Sequence, residues 1–121
     1  MSVNSYRDLR VWLISMNVVE QVYNLTRNFP KQETYGLSSQ MQRAAVSIPS
    51  NIAEGSARET TPEFLRFLAI ALGSLAELET QLILAERLAY TDDKTLQNIL
   101  SKTDEVNRML RGLQRSLKAK L

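Results

Sequence analysis

Leu9, Trp12, Met16, Val19, Tyr23 and Thr26 recur at alternating steps of three and four residues, and Leu13, Val22 and Phe29 widen the stripe. That spacing predicts an amphipathic helix facing a core. Ser5 and Asp8 stand ahead of it at capping-box spacing, which sets its start, and Pro30 stops it. The polar stretch from Pro30 to Gly36 follows as a surface loop, with Tyr35 expected to pack as a lid.

A second helix is predicted from about Leu37 to Ala57, with Leu37, Met41, Ala44, Ile48 and Ile52 on its inner face. Pro49 lies inside it. Proline removes one hydrogen bond and crowds the preceding turn, so a kink is expected between Ala45 and Ile48, with the Ser47 and Ser50 hydroxyls placed to compensate. Ala44, Ala45, Ser47, Ala53, Gly55, Ser56 and Ala57 are small enough to let another backbone come close. Ser47, Ser50, Asn51 and Glu54, with Ser74, Glu77 or Gln81 of the next helix as partners, form the expected structural polar network.

Thr61 as N-cap, Pro62 at the first helical position and Glu63 against the positive helix end open a third helix reaching about Ala89. Phe64, Leu68, Ala71, Leu75, Leu78, Leu82 and Ala85 make its seam at heptad spacing. At about 100° per residue, Ile70, Leu84 and Leu88 fall on the far side. A helix apolar on two faces needs cover on both, so these three residues predict an oligomer interface. Thr91, Asp92 and Asp93 announce a fourth helix that runs nearly to Lys120 with Leu96, Ile99, Thr103, Val106, Leu110, Leu113 and Leu117 inward. Four helices with short links predict an all-α, antiparallel up-down-up-down four-helix bundle in a single domain over residues 1–121.

Composition removes most chemistry. The 121 residues include no Cys and no His, which excludes thiolate chemistry and the commonest base and metal ligand. Di-iron bundles carry Glu-x-x-His pairs, whereas Glu54, Glu77, Glu79 and Glu86 stand without any His. No phosphate-binding glycine loop or nucleophile elbow occurs, so the expectation is a non-enzyme with no catalytic residues, no metal site and no cofactor. The first eight residues contain no apolar signal core, and no run reads as approaching the roughly 20 residues of a membrane span. A cytoplasmic location with no membrane partner is expected.

The formal charge is only +2, so its distribution matters more than its sum. Arg108, Arg111, Arg115 and Lys118 repeat along one face of the fourth helix. As a binding rail they would meet the phosphates of RNA or DNA, joined by Arg43, Arg58 and Arg66. The plain structural alternative is a solvated face with Asp104 and Arg108 as an i,i+4 pair. Aromatic residues do not interleave with the stripe, which argues against base-specific reading.

Tyr6-Arg7-Asp8-Leu9-Arg10-Val11-Trp12, Val22-Tyr23-Asn24-Leu25-Thr26, Tyr35-Gly36-Leu37 and the run from Gln40 to Gly55 resemble the 23S rRNA intervening-sequence protein family. Glu63 to Leu68 and Ala71 to Leu82 follow the same pattern, so the resemblance covers nearly the whole chain. It implies a small bacterial four-helix bundle related to the accessory proteins of diversity-generating retroelements, a homopentamer, and nucleic-acid binding on a basic surface. It implies no established activity. Two functions follow from these readings: a non-enzymatic oligomeric scaffold that binds nucleic acid through basic helix faces, or a protein–protein interaction adaptor that uses apolar outer faces.

Overall fold

The first helix starts later than the capping signal implies. In the computed structural model, which describes residues 5–121, Ser5 Oγ accepts the Arg7 N–H at 3.1 Å and caps only a single 3-10 turn, Tyr6–Asp8. Leu9 is then extended (φ −76°, ψ 121°), and helix α1 runs Arg10–Thr26 without a side-chain cap. The expectations for residues 1–4 lie outside the described part.

The buried face of α1 is Val11, Ser15, Val18, Val22 and Thr26, continued by Phe29. It is a different line from the predicted one: Leu13, Met16 and Tyr23 are exposed, and Leu9, Trp12 and Val19 only half-buried. Two apolar lines run along this helix, and the core takes the one rich in compact β-branched residues. Ser15 tolerates burial because its hydroxyl donates to the Trp12 carbonyl at 2.8 Å. Val18→Ala is therefore expected to lower unfolding free energy by about 2 kcal/mol, and Leu13→Ala by less than about 0.5 kcal/mol. Chemical denaturation checks it, and equal losses would restore the predicted register.

After Pro30, a second 3-10 turn, Lys31–Glu33, leads into helix α2, Leu37–Ser56. Glu33 caps α2 by accepting the Leu37 N–H at 3.1 Å, and its other oxygen accepts the Tyr90 hydroxyl at 2.8 Å. Those two bonds, the backbone one first, hold the Glu33 carboxyl below its ordinary range. Tyr35 is 96% exposed, so it packs as no lid. It is Tyr90 that closes this end, its ring 5.4 Å from that of Phe29.

Helix α2 continues through the buried Pro49. The Ser47 hydroxyl reaches sideways to Ser74 rather than back along the helix, and Ser50 is exposed without a side-chain hydrogen bond among the described residues. Helix α3, Thr61–Arg87, is capped one residue earlier than predicted: Thr60 Oγ1 accepts the Glu63 N–H at 3.3 Å, and Pro62 is its second residue. At the other end Ala89 takes a left-handed conformation (φ 63°), Tyr90 N–H bonds to the Ala85 carbonyl and Ala89 N–H to that of Glu86. This is a Schellman stop with alanine where glycine is usual. Asp92 Oδ1 accepts the Thr95 N–H at 2.7 Å and opens helix α4, Asp93–Lys118.

Contacts pair α1 with α2, α2 with α3, α3 with α4, and α4 with α1. Ser47 meets Ser74, while Gly55, later in α2, sits against Phe67, earlier in α3. That opposite order makes the neighbours antiparallel, and the whole is an all-α four-helix bundle. The core runs through Val18, Met41, Ile48, Leu68, Leu75, Leu78, Leu82, Val106 and Leu110. One expectation needs correcting: α3 is long and apolar enough to span a membrane, with an 18-residue window of mean hydropathy 1.5. A helix packed on two neighbours in a bundle core meets the same measure.

Candidate nucleic-acid interface

Helix α4 presents its cations because its apolar residues claim the opposite face. Leu110 and Leu117 are buried, which leaves Arg108, Arg111, Arg115 and Lys118 exposed. From Arg108 to Lys118 the rail is about 15 Å long at 1.5 Å per residue. Arg108 Nη1 lies 2.9 Å from Asp104 Oδ2, the expected i,i+4 pair. Arg111 makes only a long contact, 3.5 Å, to Gln114 Oε1. Among the described residues, Arg111, Arg115 and Lys118 have no carboxylate partner. Arg115 and Lys118 also sit in the last turn, where the helix dipole favours cations.

The other three predicted cations do not extend this rail. Arg58 and Arg66 converge on one aromatic ring, their guanidinium carbons 4.8 and 4.7 Å from the Phe67 centroid. The flat guanidinium is suited to such stacking. Arg58 also pairs with Glu54 at 2.7 Å, so Arg66 carries the uncompensated charge of the two. This pair lies near the rail's end of the bundle, where a cleft of about 740 Å³ brings together Ser56, Ala57, Phe64, Leu113, Ser116 and Leu117. Arg43 stands apart, beside Tyr23, Ser39, Gln42 and Val46 on the α1–α2 side.

The polar network is smaller than predicted. Ser47 Oγ and Ser74 Oγ are 2.8 Å apart, and Asn51 Nδ2 donates to the Ser47 carbonyl at 2.8 Å and to its Oγ at 2.9 Å. These three residues bridge α2 and α3 in a half-buried seam. Ser50, Glu54 and Glu77 are exposed and outside it. Gln81 is buried, yet its Oε1 finds no partner among the described residues. Of the three α3 partners expected for this network, Ser74, Glu77 and Gln81, it is Ser74 that joins it, through the Ser47 hydroxyl.

Ile70, Leu84 and Leu88 are 40, 44 and 47% exposed. Together with Ser74, Glu77 and Gln81 they follow each other at steps of three and four along α3, next to the α2–α3 seam. Sequence reasoning misses a second apolar surface, a groove of about 330 Å³ between α1 and α2, where Trp12, Met16, Val19, Val46, Pro49 and Ala53 meet. Its signal is the apolar line on α1 that the core does not use. Among the described residues no three Asp or Glu residues gather as metal ligands.

A family model described as 23S rRNA-intervening sequence protein matches residues 7–112. A similar solved structure is the 1.70 Å crystal structure of a protein of unknown function from the S23 ribosomal protein family of Bacteroides thetaiotaomicron VPI-5482. It is 26% identical, the match covers 86% of this chain and 97% of that one, and the TM-score is 0.78. No curated protein matches this chain.

Proposed function

The chain belongs to the 23S rRNA-intervening sequence protein family, and from that membership we propose a non-enzymatic bundle that assembles with itself and binds RNA or DNA along α4. The observation that carries this reading is the run Arg111, Arg115 and Lys118, three exposed cations on one helix face with no acid among the described residues to neutralise them. Phosphates attract such a rail without regard to base sequence, and binding releases counterions. Arg58 and Arg66 add a second point of attachment near the same end of the bundle. The protein acts in the cytoplasm, and its assembly is a homopentamer, which would repeat the rail around a ring.

Gel-shift titration against single-stranded RNA and DNA at rising salt tests the binding. Each single-strand phosphate neutralised by the protein adds about 0.7 to the steepness of log affinity against log salt. The triple variant Arg111→Gln, Arg115→Gln, Lys118→Gln, which leaves three phosphates without a cation, is thus expected to flatten the slope by about 2. No retention at low salt, or a slope unchanged in the variant, ends the reading. Light scattering tests the assembly, which should have about five times the 13.8 kDa chain mass.

The exposed apolar residues of α3 favour a second reading, a protein-interaction adaptor for which the basic rail is incidental. Co-purification of a protein that survives nuclease and high salt would support it.

A further inference from the structure

The cleft of about 740 Å³ at the end of α4 is bordered by both groups of cations. Ser116 and Lys120 line it from the stretch that carries Arg115 and Lys118, and Ala57, the residue before Arg58, lines it from the end of α2. Among the described residues, no Asp or Glu lines it. Resting on the nucleic-acid reading above, we infer that a single strand held on these cations turns one base out of its stack and into the cleft, against the rings of Tyr6 and Phe64.

The sequence keeps aromatic residues off the α4 rail, yet the fold brings two of them to its end. Tyr6 comes from the 3-10 turn ahead of α1 and Phe64 from the first turn of α3. Both are half-buried, and with Leu113 they give the cleft an apolar body that suits the flat face of a base. The Ser116 hydroxyl and the Lys120 ammonium supply polar partners for its edge. The Tyr6 ring is already held by Trp12, the centroids 5.3 Å apart and the planes at 61°, so stacking on it demands little further ordering. The volume falls within the roughly 300–1,000 Å³ of sites that enclose small molecules.

Charge at the mouth selects a base over an uncharged apolar ligand. The carbonyl end of α4 alone would repel phosphate with roughly half a unit charge. Arg115 and Lys118 in the last turn, with Lys120 just beyond, outweigh it. None of the three has an ion-pair partner among the described residues. Backbone phosphates complement these cations, and the base they carry is delivered to the cleft. Every base has a π-face, so the contact adds affinity without reading sequence. A duplex keeps its bases paired inside and cannot use the cleft. The class of ligand is therefore single strands, and the loops and ends of folded ones.

Gel-shift titration at one low salt concentration tests this with three probes: a thymidine homopolymer strand, an abasic strand of the same length, and a DNA duplex of that length. The unaltered protein should hold the abasic strand about 5- to 150-fold more weakly than the thymidine strand, the effect of one base stacked on an aromatic ring. Tyr6→Leu keeps the lining apolar and removes a ring. It should weaken thymidine-strand binding at least about fivefold and shift neither the abasic strand nor the duplex. The triple rail variant should instead weaken all three probes together. No retention of any probe overturns the nucleic-acid reading, and this inference with it. Equal retention of abasic and thymidine strands, or a Tyr6→Leu variant that keeps the preference or loses all three probes alike, overturns only the lodged base. If circular dichroism finds Tyr6→Leu unfolded, Ser116→Leu decides, because it fills the cleft from an exposed position on α4. A thymidine strand bound to that variant as tightly as before overturns the inference.

Discussion

Gly55→Ala is expected to lower the unfolding free energy by about 1–3 kcal/mol, although alanine is the better helix former by about 1 kcal/mol. The reason is the approach of α3. A Cβ on Gly55 would lie 2.7 Å from the Phe67 Cβ and 3.0 Å from Phe64 Cδ1. The Phe67 Cβ is tied to the backbone of α3, so relief requires α2 and α3, the most extensively packed pair of helices in the bundle, to move apart. Gly112 provides the contrast: its Cβ would meet only the Arg115 Nη2, at an ordinary 3.8 Å. Gly112→Ala should therefore raise stability by roughly 0.5–1 kcal/mol. Urea denaturation of both variants reads the signs, and shifts in the same direction would refute close packing at Gly55. Gly55→Leu should exceed the alanine loss, because two helices cannot share that space with a branched side chain.

That close approach is legible in the sequence. The small residues from Ala44 to Ala57 mark where α2 lets a neighbour in, and Gly55 is where α3 takes the space. The four helices, their order and the seams of α3 and α4 are equally readable, because one apolar line dominates each. On α1 two apolar lines compete, and only the partners α2 and α4 decide between them. Val18 and Val22 go in and Met16 and Tyr23 stay out for that tertiary reason.

The candidate sites divide in the same way. The α4 rail lies within one helix, so its spacing is enough to find it. The meeting of Arg58 and Arg66 on Phe67 ties the turn after α2 to α3, and the Ser47–Ser74 bridge joins two helices side by side. No periodicity within a single helix encodes either. Glu54 reads as a network member because it lies three residues from Asn51. It instead faces Arg58 at i,i+4, a local pairing that competes with any long-range one.

Leu78→Ala and Leu84→Ala should separate core from surface on the same helix. Leu78 is fully buried in the bundle, and Leu84 is 44% exposed on the outer side of α3. Truncating Leu78 strips apolar atoms from the core and leaves a cavity that rigid neighbours fill only in part, at an expected cost of about 2–5 kcal/mol. Leu84→Ala removes the same atoms from a site already open to water, so a dilute, monomeric chain should lose no more than about 0.5 kcal/mol. Its effect belongs to the proposed assembly, in which a residue on this outer face of α3 would lose the cover of a second copy. Denaturation at low and high protein concentration distinguishes the two: the Leu78→Ala loss should persist at both, whereas the Leu84→Ala loss should grow with concentration. Were Leu84→Ala as damaging as Leu78→Ala in the dilute chain, α3 would be buried on both faces within one bundle, and its outer side would have no vacancy to offer a neighbour.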